Sequence, residues 1–329
     1  MQDKRSNALW VTLWVQHGCR IQGIPDSAFA FLSWSLAPRR NQMKRVVRAT
    51  HIHVVARFGL ALFTWQCFTQ ACSESSSIPQ NDRGVLLEEL SWDEAERALT
   101  PDRIVVIPLG AESKEHGRHL QLNNDWVMAE YFKKRVLAVA PVVVAPTVNY
   151  SYYPAFREYP GSISLREETA RDMIVDICHS LASYGPRRLY VLNTGISTIK
   201  PLSEAAKALA SEGITLRYFD FEEIDAVVKK VQQQAGGTHA DEIETSMMLS
   251  IAPNTVRMSR AVKDLSPDRR GPLTRNPTAT EGVYSPTGAR GDPTLATKEK
   301  GQIVVEATVK AILSDIQNLQ NVPLDHPAR

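Results

Sequence analysis

Between residues 110 and 125 the chain reads Gly-Ala-Glu-Ser-Lys-Glu-His-Gly-Arg-His-Leu-Gln-Leu-Asn-Asn-Asp, a short span that holds Glu112, Glu115, His116, His119 and Asp125. Imidazole nitrogens and carboxylate oxygens are ligands suited to zinc, manganese or iron. His116 and Asp125 are therefore candidate metal ligands, with Glu112 and Glu115 as neighbours that could join them. A second polar cluster, His239-Ala-Asp-Glu-Ile-Glu-Thr-Ser246, opens a helical pattern. It puts His239 near the helix start and Glu244 one to two turns inside. Taken alone, its spacing reads as a cap and a solvated face.

These clusters need elements to hold them. An apolar run, Arg103 to Leu109, reads as a buried parallel strand directly before the first cluster. Trp126 to Leu137 follows as an amphipathic helix with Asp125 at its N-cap. Ligands of open α/β sheets bind outside the carboxyl ends of strands, which is where this cluster lies. Downstream, Ala138–Ala145 reads as a second buried strand, its prolines suggesting an edge or end. A helix over about 165–184, a strand over 188–193, a helix over 201–212 and a strand over 215–219 come next. The ranges 222–235 and 242–251 read as helices, 264–297 as an ordered turn-rich loop, and 298–319 as a terminal helix. Before all of these, Ser91 caps a short helix with Glu94 at the capping-box position. The alternation implies a three-layer α/β/α sandwich with a mostly parallel sheet.

Together the motifs resemble those of the creatininase (creatinine amidohydrolase) family of metal-dependent amidohydrolases. The family pattern is Pro-x-Gly, then Glu-x-His-Gly-x-His-Leu, then an Asp nine residues after the first His. Here Pro108-Leu-Gly110, His116-Gly-Arg-His119-Leu120 and Asp125 match it. Tyr159-Pro-Gly-Ser-Ile-Ser-Leu165, His239-Ala-Asp-Glu-Ile-Glu-Thr-Ser-Met-Met-Leu249 and Gly291-Asp-Pro-Thr-Leu-Ala-Thr-Lys-Glu-Lys-Gly301 resemble later family segments, in order, over about residues 86–318.

The resemblance implies roles residue by residue. His116, Asp125 and Glu244 become metal ligands, with Asp125 in the bridging position, and His239 becomes the acid/base. A metal-held water would then attack an amide carbonyl. Two departures change the expectation. Lys114 stands where the family has its Glu, so Glu115 or Glu112 is the candidate replacement. Gly195 stands where the family has a further ligand His, and a glycine cannot ligate. One divalent ion per chain (Zn, Mn or Fe), held by His116, Asp125 and Glu244 with Glu115 as a fourth ligand, is the expected centre. His119 is either a residue that orients a ligand or a buried structural histidine. The aromatic loop 148–161 either lines a substrate pocket or packs down on the body. Tyr153, Phe156 and Arg157 are its pocket candidates, together with Asn193 and Gly195. Arg157 is the best placed of these for an anionic group.

The expected activity is hydrolysis of an amide or cyclic amide C–N bond in a small molecule, with creatinine itself disfavoured by the two departures. The competing reading is a non-catalytic descendant of the fold that binds a ligand or serves in an assembly. Retention of His116, Asp125, His239 and Glu244, which have no evident packing value, favours the enzyme. The 329 residues carry a net charge of only +2, and no Lys/Arg stripe interleaved with aromatics runs through the body, so nucleic acid is not an expected partner. The resemblance further implies a homo-oligomer, a hexamer in family terms.

The four cysteines, Cys19, Cys67, Cys72 and Cys178, offer the body no disulfide framework. Cys178 sits in an apolar helical pattern and reads as a buried hydrophobe. Residues 1–42 read as an extension outside the fold. From Met43, Lys44, Arg45 and Arg48 precede the apolar stretch Phe58–Trp65 and then Cys72, the order of an export signal with Cys72 as a lipidated residue. Residues 73–85 read as a linker, 86–320 as the amidohydrolase domain and 321–329 as a tail. The expected location is the periplasm or a membrane surface by lipid anchor, and the cytoplasm if the signal is silent.

Overall fold

The computed structural model describes residues 84–265 and 271–324. The proposed extension, the export signal with Cys72, most of the linker and the end of the tail lie outside the described residues. Five parallel strands form the central sheet: β1 (Val85–Leu86), β2 (Ile104–Leu109), β3 (Val143–Val144), β4 (Arg188–Asn193) and β5 (Thr215–Tyr218). Their spatial order is β1-β3-β2-β4-β5, and every pairing is parallel. β2 and β4 are buried along their whole length. That explains why β2, and β4 from Leu189 to Leu192, read as continuous apolar runs rather than alternating ones.

The alternate sides of β2 divide the core. Ile104 and Val106 join Met128, Phe132 and Val136 of α2 (Asn124–Leu137). The same cluster takes in Ile243, Met247 and Met248 of α6 (Glu242–Ile251) and Val304, Ile312 and Ile316 of α7 (Lys298–Gln320). On the other face Val105, Ile107 and Leu109 meet Ile174 and Cys178 of α3 (Glu167–Ala182) and Leu202 and Leu209 of α4 (Ile199–Ala210). These are the layers of an α/β/α sandwich. A short α1 (Trp92–Ala98) carries the capping box between Ser91 and Glu94, and α5 (Asp225–Val231) is the remaining helix.

Several elements depart from the sequence reading. Asp125 is not a cap: Asn123 takes that position, and Asp125 lies in the first turn of α2, buried. The strand expected over 138–145 shrinks to Val143–Val144, because a turn beyond the end of α2 takes up residues 138–140. It is also interior, with β1 outside it, so its prolines mark an end and not an edge. The turn-rich region contains a pair of two-residue strands, β6 (Leu273–Thr274) and β7 (Val283–Tyr284). Ile303 in α7 is 51% exposed.

β3 lies on one side of β2 and β4 on the other, so the strand order reverses direction between β2 and β4. A crevice opens at such a point beyond the carboxyl ends of the strands. Thr194, just after β4, closes its floor. Its N–H and its hydroxyl donate to Leu109 O at 3.1 and 3.0 Å, and the hydroxyl also reaches Asp125 O at 3.2 Å. Gly110 is obligatory here, since a Cβ would lie 2.4 Å from Asp125 O.

Candidate active site

The loop leaving β2 delivers three consecutive side chains to two partners, Asp125 and His239. Lys114 Nζ lies 2.6 Å from Asp125 Oδ2, and His116 Nε2 lies 2.7 Å from Asp125 Oδ1. Glu115 Oε2 is 3.1 Å from His239 Nε2, while its other oxygen accepts from Gly117 N–H. All three residues are nearly inaccessible, as is Asp125.

Segment 236–244 supplies the opposing wall. Asp241 caps α6 by accepting from Ile243 N and Glu244 N, both at 2.9 Å. Ala240 adopts a left-handed backbone (φ 46°), which aims its N–H at Glu244 Oε2 at 2.7 Å. Such a conformation in a non-glycine residue costs about 1–3 kcal/mol and concentrates at functional sites. Glu244 Oε1 accepts from Asn124 Nδ2 at 2.9 Å and stands 3.3 Å from His116 Nε2. Its side chain keeps 18% exposure, toward the cavity.

Each of the two histidines has its rear nitrogen committed. His116 Nδ1 is 2.8 Å from Lys114 O, which only accepts, so that nitrogen carries hydrogen and Nε2 faces Asp125 and Glu244. His239 Nε2 donates to Glu115, which leaves Nδ1 facing Glu244 Oε2 at 3.7 Å. A rear hydrogen bond to a carbonyl or carboxylate is the arrangement of metal-ligating histidines, fixing tautomer and ring orientation. It also suits a proton carrier.

Donor atoms of His116, His239 and Glu244 lie within 4.8 Å of one another. Two ligands on a tetrahedral ion, bound at roughly 2.0–2.1 Å, stand about 3.3 Å apart, which matches the His116–Glu244 separation. The His116–Asp125 contact needs a proton, or another cation, between a lone pair and a carboxylate. The donor set therefore fits a divalent ion.

The electrostatics agree. Burial would raise the Asp125 carboxyl, but the ammonium of Lys114 and the imidazole of His116 hold it well below the usual carboxylate range. Burial likewise opposes ionisation of Glu244, and His116, His239 and Lys114 together bring it below its ordinary value. Burial would lower His239, yet the charge and hydrogen bond of Glu115 and the charge of Glu244 raise it. Burial pulls His119 down to about 4, so its ring is neutral. Its Nε2 lies 2.8 Å from Thr245 Oγ1, beside Glu244, and the ring braces α6 without joining the donor set.

Other sequence candidates are distributed differently. Glu115 orients His239 and does not sit among His116, Asp125 and Glu244. Glu112 is exposed and accepts from Asn149 Nδ2 at 2.8 Å. The aromatic loop chiefly packs down: Tyr153, Phe156 and Tyr159 form a cluster with Leu273 and Val283. Phe156 also stacks on His239, ring centroids 4.2 Å apart, and lines a cavity of about 480 Å³ with Lys114, Glu244 and Gly195. Tyr153 lies behind that wall and is 2% exposed. Arg157, expected at the substrate, is exposed and lines a separate depression with Glu158 and Thr274, because the turn Pro154–Phe156 points it outward. Asn193 borders the cavity, but its amide is consumed by Gly195 N, Gly195 O and Thr198 Oγ1. His179 pairs with Glu212 at the surface.

Sequence reasoning missed Asn124, which looked like an ordinary loop amide, and treated Lys114 only as the loss of an acid. The signal available for both was their placement one or two residues from candidate ligands, Asn124 before Asp125 and Lys114 before His116.

The family model described as creatinine amidohydrolase matches residues 88–316. A creatinine amidohydrolase of Pseudomonas putida is 28% identical over 255 residues, covering 71% of this chain and 97% of its own. A mycofactocin precursor peptide peptidase of Mycobacterium ulcerans is 28% identical over 225 residues, covering 64% of this chain and 84% of its own. A solved structure described as the Mn form of creatininase superposes with a TM-score of 0.59 at 23% identity, over 73% of this chain and 100% of that one. A creatininase mutant described as the Zn–Zn type superposes at 0.58 with the same identity and coverage.

Proposed function

Because the chain belongs to the creatininase family, we propose that it is a metal-dependent hydrolase of an amide or cyclic amide C–N bond in a small molecule. The observation that carries the reading is the shared orientation of His116 and His239. Both have their rear nitrogens anchored, and both turn their front nitrogens toward Glu244 at the mouth of one cavity.

His116 Nε2, Asp125 Oδ1 and Glu244 Oε1 are the residues that would hold the ion. A divalent ion bound there supplies a Lewis acid and brings the pKa of a water toward neutrality. The remaining chemistry belongs to the chain. His239 Nδ1 accepts a proton from the attacking water and returns it to the departing nitrogen, with Glu115 holding the ring in register through Nε2. Asn124 and Ala240 N–H fix both oxygens of Glu244. Phe156 covers the His239 ring and keeps bulk water from it. Phe219, Phe221, Ile224 and Val228 line the other end of the cavity, a surface suited to an apolar substituent on the substrate.

The test is metal analysis coupled to a screen of formamides, lactams and short peptidyl amides. The wild type is expected to bind divalent metal and turn over an amide, Asp125→Ala to lose both, and His239→Ala to keep the metal and lose turnover. Retained turnover in a metal-free preparation would overturn the reading. Loss of metal in His239→Ala would move His239 into the ligand set.

We further propose export by the signal before Cys72 and assembly into a homo-oligomer. Mass spectrometry of the mature N-terminus and sedimentation of the purified protein test these two points.

A further inference from the structure

Lys114 is buried, and among the described residues its ion pair is with one carboxylate, Asp125. Its Nζ lies 2.6 Å from Asp125 Oδ2, and the rings of Tyr153 and Phe156 flank it at 5.4 and 5.0 Å from their centroids. An ammonium has three donors, and Lys114 also borders the cavity that Glu244 and His239 enter. The two oxygens of Asp125 thus face two different positive groups: Oδ1 faces the His116 side, where a divalent ion fits, and Oδ2 faces Lys114. A carboxylate placed this way can bridge two cations, and in this chain one of the two is covalently part of the protein.

Gly195 borders the same ground. A Cβ there would stand 3.6 Å from the Tyr153 ring and 3.5 Å from Thr198, ordinary contacts on an extended backbone. Position 195, on the cavity that Lys114 also borders, therefore accepts a Cβ without displacing its neighbours.

We propose that Lys114 is the built-in second cation of this centre, occupying the far side of Asp125 so that the chain takes a single divalent ion, and presenting its free N–H bonds to a carbonyl oxygen of the substrate. The inference rests on the hydrolase reading for the nature of the substrate. Its physical content is separate: two like charges sharing one carboxylate oppose each other, so Lys114 limits both the number of ions and their affinity.

Equilibrium dialysis against Zn²⁺, followed by metal analysis of the full chain, tests it without turnover. The wild type is expected to hold one equivalent. Lys114→Met is expected to hold one as well, about tenfold tighter, because the opposing charge is gone. The double variant Lys114→Glu/Gly195→His supplies a carboxylate and an imidazole on the far side and is expected to hold two. Circular dichroism and thermal unfolding confirm that each variant is folded. Two tight equivalents in the wild type would overturn the role of Lys114 and leave the hydrolase reading intact. No metal in the wild type would instead overturn the hydrolase reading. Weaker Zn²⁺ binding by folded Lys114→Met would show a brace for Asp125 in place of a competing cation, and one equivalent in the folded double variant would equally refute the proposal.

Discussion

Gly301→Ala puts two opposing effects on one atom. Gly301 lies in the first turn of α7 where that helix crosses α6. A Cβ there would sit 1.8 Å from Ser246 O and 2.4 Å from Ser246 C. Alanine in a helix is favoured over glycine by at most about 1 kcal/mol. Against that, carbon and oxygen need roughly 3.5 Å, so the two backbones must part by well over an ångström. Overpacking of that kind costs about 1–3 kcal/mol even when side chains can yield, and here the obstacle is main chain. A net loss of about 2 kcal/mol is expected, which for a domain of this size lowers Tm by roughly 4–8 °C. Ser246 is two residues beyond Glu244, so Zn²⁺ binding should weaken in parallel. Thermal unfolding of Gly301→Ala beside Ile303→Ala, an exposed position in the same helix, is the assay. An unchanged or raised Tm would show that helix propensity wins and that α6 and α7 do not meet as closely as described.

Two further outcomes can be checked directly. Glu223 and Asp315 are both raised, chiefly by burial and, for Glu223, also by the Asp315 charge. A raised carboxyl pKa gives stability that is present below the ordinary carboxylate range and lost as pH climbs through the raised values. Glu223→Gln should therefore raise Tm at pH 7.5 and leave it nearly unchanged at pH 4; equal shifts at both would refute the pairing. Burial pushes the Cys178 thiol up to about 12, so a thiol reagent at pH 8, read by peptide mapping, should spare Cys178 in folded protein and label it after unfolding.

The elements were legible where one physical effect dominated. β2, and β4 between Leu189 and Leu192, are apolar because helices cover both faces, and α6 runs from Glu242 to Ile251 as its capping and apolar pattern require. The strand after α2 misled because Val142, Val143 and Val144 are all buried, yet only two of them join the ladder. Within the site, His116 and Asp125 could be named from residue type, whereas His239 and Glu244 were named through the family resemblance, their spacing alone reading as a cap and a solvated face. What each touches could not be read. Glu115 turned to His239, Arg157 turned outward and Asn124 reached Glu244 because tertiary packing between segments more than a hundred residues apart decides those rotamers. Gly301 shows the same limit: the motif made it visible, and only the crossing of two helices gives it a reason.

The Thr194 knot has a wider consequence. It ties β2, β4 and the start of α2 into one frame, so Lys114, His116 and Asp125 belong to a part of the chain braced from within. His239 and Glu244 hang from a different set of supports: Thr238 and His239 on Arg290, Asp241 on Gln234, and Glu242 on Lys300. Beside the apolar cluster shared by α2 and α6, these two frames meet in the site along polar contacts of His116, Glu244, Asn124, Glu115 and His239. A cation bound across these contacts would clasp the two sides of the site together. Occupancy at a hundred times the dissociation constant would add about 2.7 kcal/mol to their joint stability. Chelation should thus loosen the segment around 236–244 before it disturbs the sheet.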